Sequence, residues 1–166
     1  MRAPEPLSSK SPITGFECGK PSLNDWLHRH ALQAQGSGSA RSYVVIDGAK
    51  GSEQVLGYYS LVVGQVEPLE APERIRKGMG QYPIPVMLLA RLAVSQAAQG
   101  QGIGIGLLQD AIRRTLNIAE QAGIRAMLTH PIDEDAARFY QKFGFEASPL
   151  RPDQLLILLK DAKRWV

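Results

Sequence analysis

The sequence predicts an α/β fold, a mixed sheet flanked by helices, and three observations carry that expectation. In the second half, buried strand runs alternate with helical periodicities: Pro85–Val94, a helix from about Ile103, Ile124–Thr129, a helix after Asp133, and Leu155–Leu159. In the first half, Ser42–Ile46 and Val55–Val66 are β-branched and aromatic, and they flank the polar turn Asp47–Ser52 as an antiparallel hairpin would. Finally, 166 residues with 44% hydrophobic and 21% charged content make one domain, 1–166, with a sizeable core.

The elements follow in order. Residues 1–11 are rich in Pro and Ser and are expected to form an extended or poorly ordered arm. Ile13–Phe16 reads as a short edge strand. Ser22 and Asp25 resemble a capping box, and Leu23, Leu27, Ala31 and Ala34 then predict a helix over about 22–35, ended by Gly36–Ser39. Gly57 and Gly64 suggest bends or bulges in the second strand. Pro68, Pro72, Pro83 and Pro85 make 67–85 mostly loop, with a short helix around Arg74–Lys77. Ile103, Leu107, Leu108, Ala111, Ile112 and Ala119 mark the central helix, which Gly123 is expected to close at C′. Asp133 is a good N-cap, and Ala136, Tyr140 and Phe143 share one face of the helix that Gly144 stops.

Several classes are disfavoured. No apolar run approaches the roughly 18 residues of a membrane span, and MRAPEPLSSKSP lacks the apolar region of a signal peptide. A cytoplasmic protein without membrane association is expected. The single Cys18 rules out an internal disulfide framework, and His28, His30 and His130 lack metal-ligand spacing, so no metal is expected. Lys and Arg number 19 against 16 acids, a net +3 that permits an anionic partner without demanding one.

The most informative stretch is Gln99-Gly-Gln-Gly-Ile-Gly104, between a buried strand and a helix start. Glycines there let backbone N–H groups approach an anion at a helix N-terminus, and a phosphate is the natural guest. A plain tight turn is the alternative. A Walker loop is excluded because no Lys-Ser/Thr follows, and the G-x-G-x-x-G register fails at Ile105 and Leu107.

What fits is Q-x-x-G-x-G, as Gln99, Gly102 and Gly104. With LARLAV before the loop and ARFYQKFGF after it, the chain resembles the GNAT (Gcn5-related) N-acetyltransferase superfamily over nearly its whole length. F-x-C-G-x-x-x-L-N-x-W-L (Phe16–Leu27), G-Y-Y-S-L (Gly57–Leu61) and P-I-P-V-x-L-L-A-R-L-A-V (Pro83–Val94) narrow the resemblance to TacT-type acetyltransferase toxins of type II toxin–antitoxin systems. This resemblance implies a central, mostly antiparallel sheet with a splayed strand pair, and acetyl-CoA as cosubstrate. Its pyrophosphate would lie on Gln99, Gly100, Gln101, Gly102, Ile103 and Gly104. Its pantetheine and thioester would lie along Leu92, Ala93 and Val94, with Asp133, Ala136 and Phe143 also lining the cofactor. One departure is Thr129-His-Pro131, where the family's strand usually continues; the proline removes a ladder donor and is expected to widen the splay or reshape the acceptor pocket.

Tyr140 is the implied general acid for the departing thiolate; read without the resemblance, it is more simply a core aromatic. No general base is evident, because Asp133 reads as a cap. An α-amine of pKa about 8, lowered further by esterification, needs none, whereas a lysine at about 10.4 would. The absent base and the resemblance both favour the α-amine of aminoacyl-tRNA, whose acetylation blocks translation. Lys20, Arg29, Arg41, Arg74, Arg76, Lys77 and Arg91 are the candidate tRNA-binding cations. Arg91 sits inside a strand signal, where it should face a phosphate or a structural carboxylate. Cys18, Trp26 and Leu27 read as structural. A ribbon-helix-helix antitoxin and a homodimer are implied by the resemblance alone. The competing readings are an acetyltransferase of a small amine or a protein N-terminus, and a non-catalytic acyl-CoA-binding module.

Overall fold

A computed structural model describes residues 2–166. Strands β1 (Glu5–Pro6), β2 (Arg41–Asp47), β3 (Gln54–Val66), β4 (Ile84–Val94), β5 (Ala126–Thr129), β6 (Glu146–Ala147) and β7 (Leu155–Leu158) form a seven-stranded sheet in the order β1-β2-β3-β4-β5-β7-β6. The helices are α1 (Pro21–Arg29), α2 (Ala31–Ser37), α3 (Glu73–Arg76), α4 (Ile103–Ala119), α5 (Glu134–Lys142) and α6 (Leu159–Ala162). The β4–β5 pair is parallel, whereas β1–β2, β2–β3, β5–β7 and β6–β7 are antiparallel. The β4–β5 register ends at Leu89–Thr129, where β5 itself ends, five residues before β4 ends at Val94.

Two compact units divide the chain. The first holds the described residues up to Val62 together with Arg91–Asp110. Its core gathers Leu7, Phe16, Leu27, Ala31, Val44, Ile46, Tyr58 and Ala93. The β2–β3 hairpin carries a bulge: Val45 pairs with Gly57 and Ile46 with Val55, so Leu56 is the extra residue. Gly57 is required there by close packing, since a Cβ would lie 2.9 Å from Leu107 Cδ1 and 3.0 Å from the Ala93 carbonyl oxygen. The second unit, Val63–Ala90 with Ala111–Val166, centres on Val66, Ile75, Ile84, Val86, Ala126, Leu128, Leu156 and Leu158. Most of these belong to β4, β5 and β7, and Ile75 comes from α3. The carbonyls of Ile75 and Lys77, at the end of that helix, accept hydrogen bonds from the Arg125 guanidinium.

Local expectations are corrected at several points. Of the two alternatives for the arm, it is the extended one where Glu5 and Pro6 pair with Val44 and Tyr43, and an edge strand there is tolerant of proline. Ile13–Phe16 forms no strand; it is a turn closed by Phe16 N–H to the Ile13 carbonyl. The single helix over 22–35 is two, because His30 leaves helical geometry at φ −123° between α1 and α2. There is no capping box: Lys20 is the N-cap, without a side-chain bond, and Pro21 opens the helix. Gly38, at φ +78°, ends α2 as a left-handed cap. Gly123 does not cap α4, which ends earlier at Ala119 and unwinds through a turn at Glu120–Ala122. β5 begins at Ala126 rather than Ile124. The two-residue β6 carries no sequence signal.

Candidate active site

The glycine-rich loop lies in the first unit and is pinned from both sides. Gln99 Nε2 donates to the Val94 carbonyl at 3.0 Å and to the Cys18 carbonyl at 3.1 Å, tying the loop to the end of β4 and to the N-terminal turn. Gly100 and Gly102 both sit at φ +81°, with open space where a Cβ would be, so glycine is needed for conformation there. Helix α4 starts at Ile103, and its first intrahelical bond runs from Gly106 N–H to the Gly102 carbonyl. The N–H groups ahead of it are the donors that an α-helix leaves without intrahelical partners, a cradle for an anion.

The turn at 16–19 buttresses this loop. Gln96 N–H donates to the Glu17 carbonyl at 2.8 Å, and Ser95 N–H to the Leu56 carbonyl at 2.8 Å. Glu17 accepts from Asn24 Nδ2 and Gly19 N–H, bonds that hold its carboxyl below the usual range. The buried Asn24 in turn accepts a bond from Cys18 N–H. The F-x-C-G-x-x-x-L-N pattern is therefore a hydrogen-bonded brace. Cys18 is buried, and that burial raises its thiol pKa, as expected of a structural cysteine.

Leu92, Ala93 and Val94 close β4 in the same unit; Ala93 is buried, and the other two are half-buried. Just before them, Arg91 lies over the Trp26 ring, 3.9 Å from its centroid. Trp26 stacks at 6.2 Å on Tyr58, which meets Phe16 edge-on and donates its hydroxyl to the Leu23 carbonyl. Arg91 thus lies over an aromatic ring and not, among the described residues, against the structural carboxylate that the sequence offers as the alternative to a phosphate. Trp26 is more than packing: it is the shelf for that guanidinium. Burial lowers the Arg91 pKa and raises that of Tyr58.

In the second unit, Asp133 caps α5 by accepting Ala136 N–H at 2.9 Å, as predicted. Tyr140 is buried on that helix beside the Thr129 hydroxyl, which itself donates to the Leu89 carbonyl at 2.9 Å. Burial pushes the phenol up to about 12, against a smaller lowering by Thr129. Thr129 carries no signal in the sequence. Phe143 lies edge-on to Trp165, at 4.9 Å, and beside Phe139. Pro131 follows the end of β5 and lines a cleft of about 520 Å³ with Ala137, Arg138 and Gln141 of α5 and Pro152 and Asp153. His130 bonds Gln154, and His28 bonds the Ile13 carbonyl.

Of the candidate cations, Lys20, Arg29, Arg41 and Arg91 belong to the first unit, and Arg74, Arg76 and Lys77 to the second. Lys20, Arg29 and Lys77 are exposed, and Arg76 is half-buried. Arg41 donates to the Gln35 carbonyl, and Arg74 makes a bidentate pair with Asp161. That pairing raises the Arg74 pKa and lowers that of Asp161.

Residues 38–147 match the model of the GNAT acetyltransferase domain. The chain is 42% identical over 162 residues to a tRNA-acetylating toxin of Mycobacterium tuberculosis (strain ATCC 25618 / H37Rv), covering 97% of this chain and 94% of that protein. Among solved structures, AtaT complexed with acetyl-methionyl-tRNAfMet superposes with a TM-score of 0.89 at 26% identity, covering 98% of this chain and 97% of that one. A tyrosine-to-phenylalanine variant of AtaT bound to the C-terminus of the antitoxin AtaR and acetyl-CoA gives 0.82 at 25% identity, over 98% and 96%. The fold, the glycine-rich loop at the start of α4 and these similarities agree: the chain belongs to the GNAT acetyltransferases and, within them, to the TacT-type toxins.

Proposed function

We propose that the protein transfers the acetyl group of acetyl-CoA to the α-amine of aminoacyl-tRNA and so stops translation. The observation that carries this reading is the 42% identity over 97% of the chain to a tRNA-acetylating toxin. The geometry supports it. The loop at Gln99–Gly104 offers glycine-lined backbone at the N-terminus of α4 for a pyrophosphate. Backbone groups at Leu92–Val94 would polarise the thioester carbonyl. The amine nitrogen forms a bond to that carbon, the C–S bond breaks, and the thiolate takes the Tyr140 proton while the nitrogen gives one to solvent.

The Tyr140 pKa of about 12 constrains this acid. Against a thiol of about 8.5, proton transfer stays uphill by roughly 5 kcal/mol even when sulfur carries its full charge, so the proton moves late and the phenolate regains one from solvent. Tyr140 stays neutral across the working range, and the limiting titration is the amine's. An aminoacyl ester amine is substantially neutral at pH 7, so the absence of a dedicated base is consistent with this acceptor.

The reading places the protein in the cytoplasm with charged tRNA, and it includes an antitoxin partner, as AtaT has in AtaR. The ribbon-helix-helix class of that partner and a homodimer rest on the sequence resemblance alone. Induced expression tests the proposal in cells. Growth should arrest with the natural chain and continue with Tyr140→Phe at equal protein level. Arrest that is indifferent to Tyr140 would sink it.

A further inference from the structure

Arg91 is a half-buried cation whose titration feels Tyr58 and, among the described residues, no carboxylate. Desolvating a guanidinium without a counter-charge costs stability, so its retention inside β4 needs a reason. Its surroundings fix its orientation. The guanidinium lies 3.9 Å from the Trp26 centroid, and Trp26 is backed at 6.2 Å and 10° by Tyr58, which is itself anchored by its hydroxyl to the Leu23 carbonyl. A guanidinium held over a ring keeps its N–H fork available at the edge, in the plane that suits bidentate recognition of a phosphate.

The place on the strand matters equally. Arg91 precedes Leu92–Val94 by one to three residues, roughly 3–10 Å along β4. Those are the backbone groups assigned above to the thioester carbonyl. A cation at that spacing is close enough to hold the acceptor while its amine meets the carbonyl.

We propose that Arg91, laid on the Trp26 shelf, binds a backbone phosphate at the 3′ end of the acceptor nucleic acid and so positions the ester's amine. The inference rests on the reading of aminoacyl-tRNA as substrate. It makes Arg91 the group that distinguishes an amine carried on a nucleic acid from a free one. Trp26 is a positioning residue that acts through Arg91.

The test compares two acceptors, charged tRNA and a phosphate-free aminoacyl methyl ester, with natural protein, Arg91→Lys, Arg91→Met and Trp26→Leu. Losing a bidentate charge-assisted contact should raise KM for charged tRNA about tenfold to hundredfold. Replacing the cation in Arg91→Met should also reduce the salt dependence of tRNA binding by about one phosphate contact. KM for acetyl-CoA and turnover of the methyl ester should stay unchanged, and Trp26→Leu should reproduce the tRNA defect. Arg91→Lys matching natural protein on tRNA would overturn the inference. Equal losses on both acceptors would overturn it too, because a merely structural Arg91 predicts that. Natural protein that acetylates the ester but not charged tRNA would remove the substrate reading itself, and this inference with it.

Discussion

Gly57→Ala should damage the cofactor side of the protein from inside the core. Gly57 has no positive φ, so the effect is not backbone strain. The added methyl would lie 2.9 Å from Leu107 Cδ1, 3.0 Å from the Ala93 carbonyl oxygen and 3.3 Å from Ile103 Cγ2. Leu107 can turn its methyl aside, but the Ala93 oxygen is backbone and Ile103 opens α4. Relief therefore requires β4 and the start of α4 to move by a few tenths of an ångström, at the two places assigned to the thioester and the pyrophosphate. Overpacking of this kind costs about 1–3 kcal/mol. For a domain of this size that lowers Tm by roughly 2–12 °C. Misplaced N–H groups should also weaken CoA binding about tenfold. Gly64→Ala is the control on the same strand, since its Cβ would meet only Val86 Cγ2 at 3.8 Å. Melting curves and calorimetric titration with CoA for both variants decide it. If Gly57→Ala melted and bound CoA like Gly64→Ala, the packing argument would be refuted.

Other expectations follow from the same geometry. Tyr140→Phe should lower turnover by about 10²–10⁴ while leaving acetyl-CoA binding intact, as single-turnover kinetics would show. Because burial raises the Tyr140 pKa to about 12, the unfolded chain ionises this phenol first. Its stabilisation is complete below about pH 10 and is lost as pH rises from about 10 toward 12, so melting of natural protein should fall more steeply over that interval than melting of Tyr140→Phe. Gln99→Glu places a carboxylate against the Val94 and Cys18 carbonyls in place of a donor, and should weaken CoA binding more than Gln99→Ala does. Cys18, buried with a raised pKa, should react with a disulfide reagent only as fast as the protein opens; a fast phase in native buffer would contradict its structural role.

The strongest sequence signals are those written into one segment. The alternation of β4, the loop and α4, the Asp133 cap and the buried Tyr140 are all legible, because periodicity and capping are local. What escapes is local pattern overridden from a distance. The proline-rich arm becomes strand only because Glu5 and Pro6 find β2, and the helix over 22–35 breaks at His30 although its apolar spacing runs on. At the site, the sequence marks Arg91 as costly to bury but does not name its partner. Trp26 is 65 positions away in the chain, and such pairings have no local signature. Thr129 beside Tyr140 is hidden for the same reason.

The central claim is the acceptor, and one measurement addresses it most directly: transfer of labelled acetyl from acetyl-CoA to a fully charged tRNA pool, beside uncharged tRNA and free amino acids. The account predicts label on charged tRNA alone, released as the N-acetylamino acid by mild base and absent with Tyr140→Phe. Natural protein that binds CoA yet leaves charged tRNA unlabelled would contradict it.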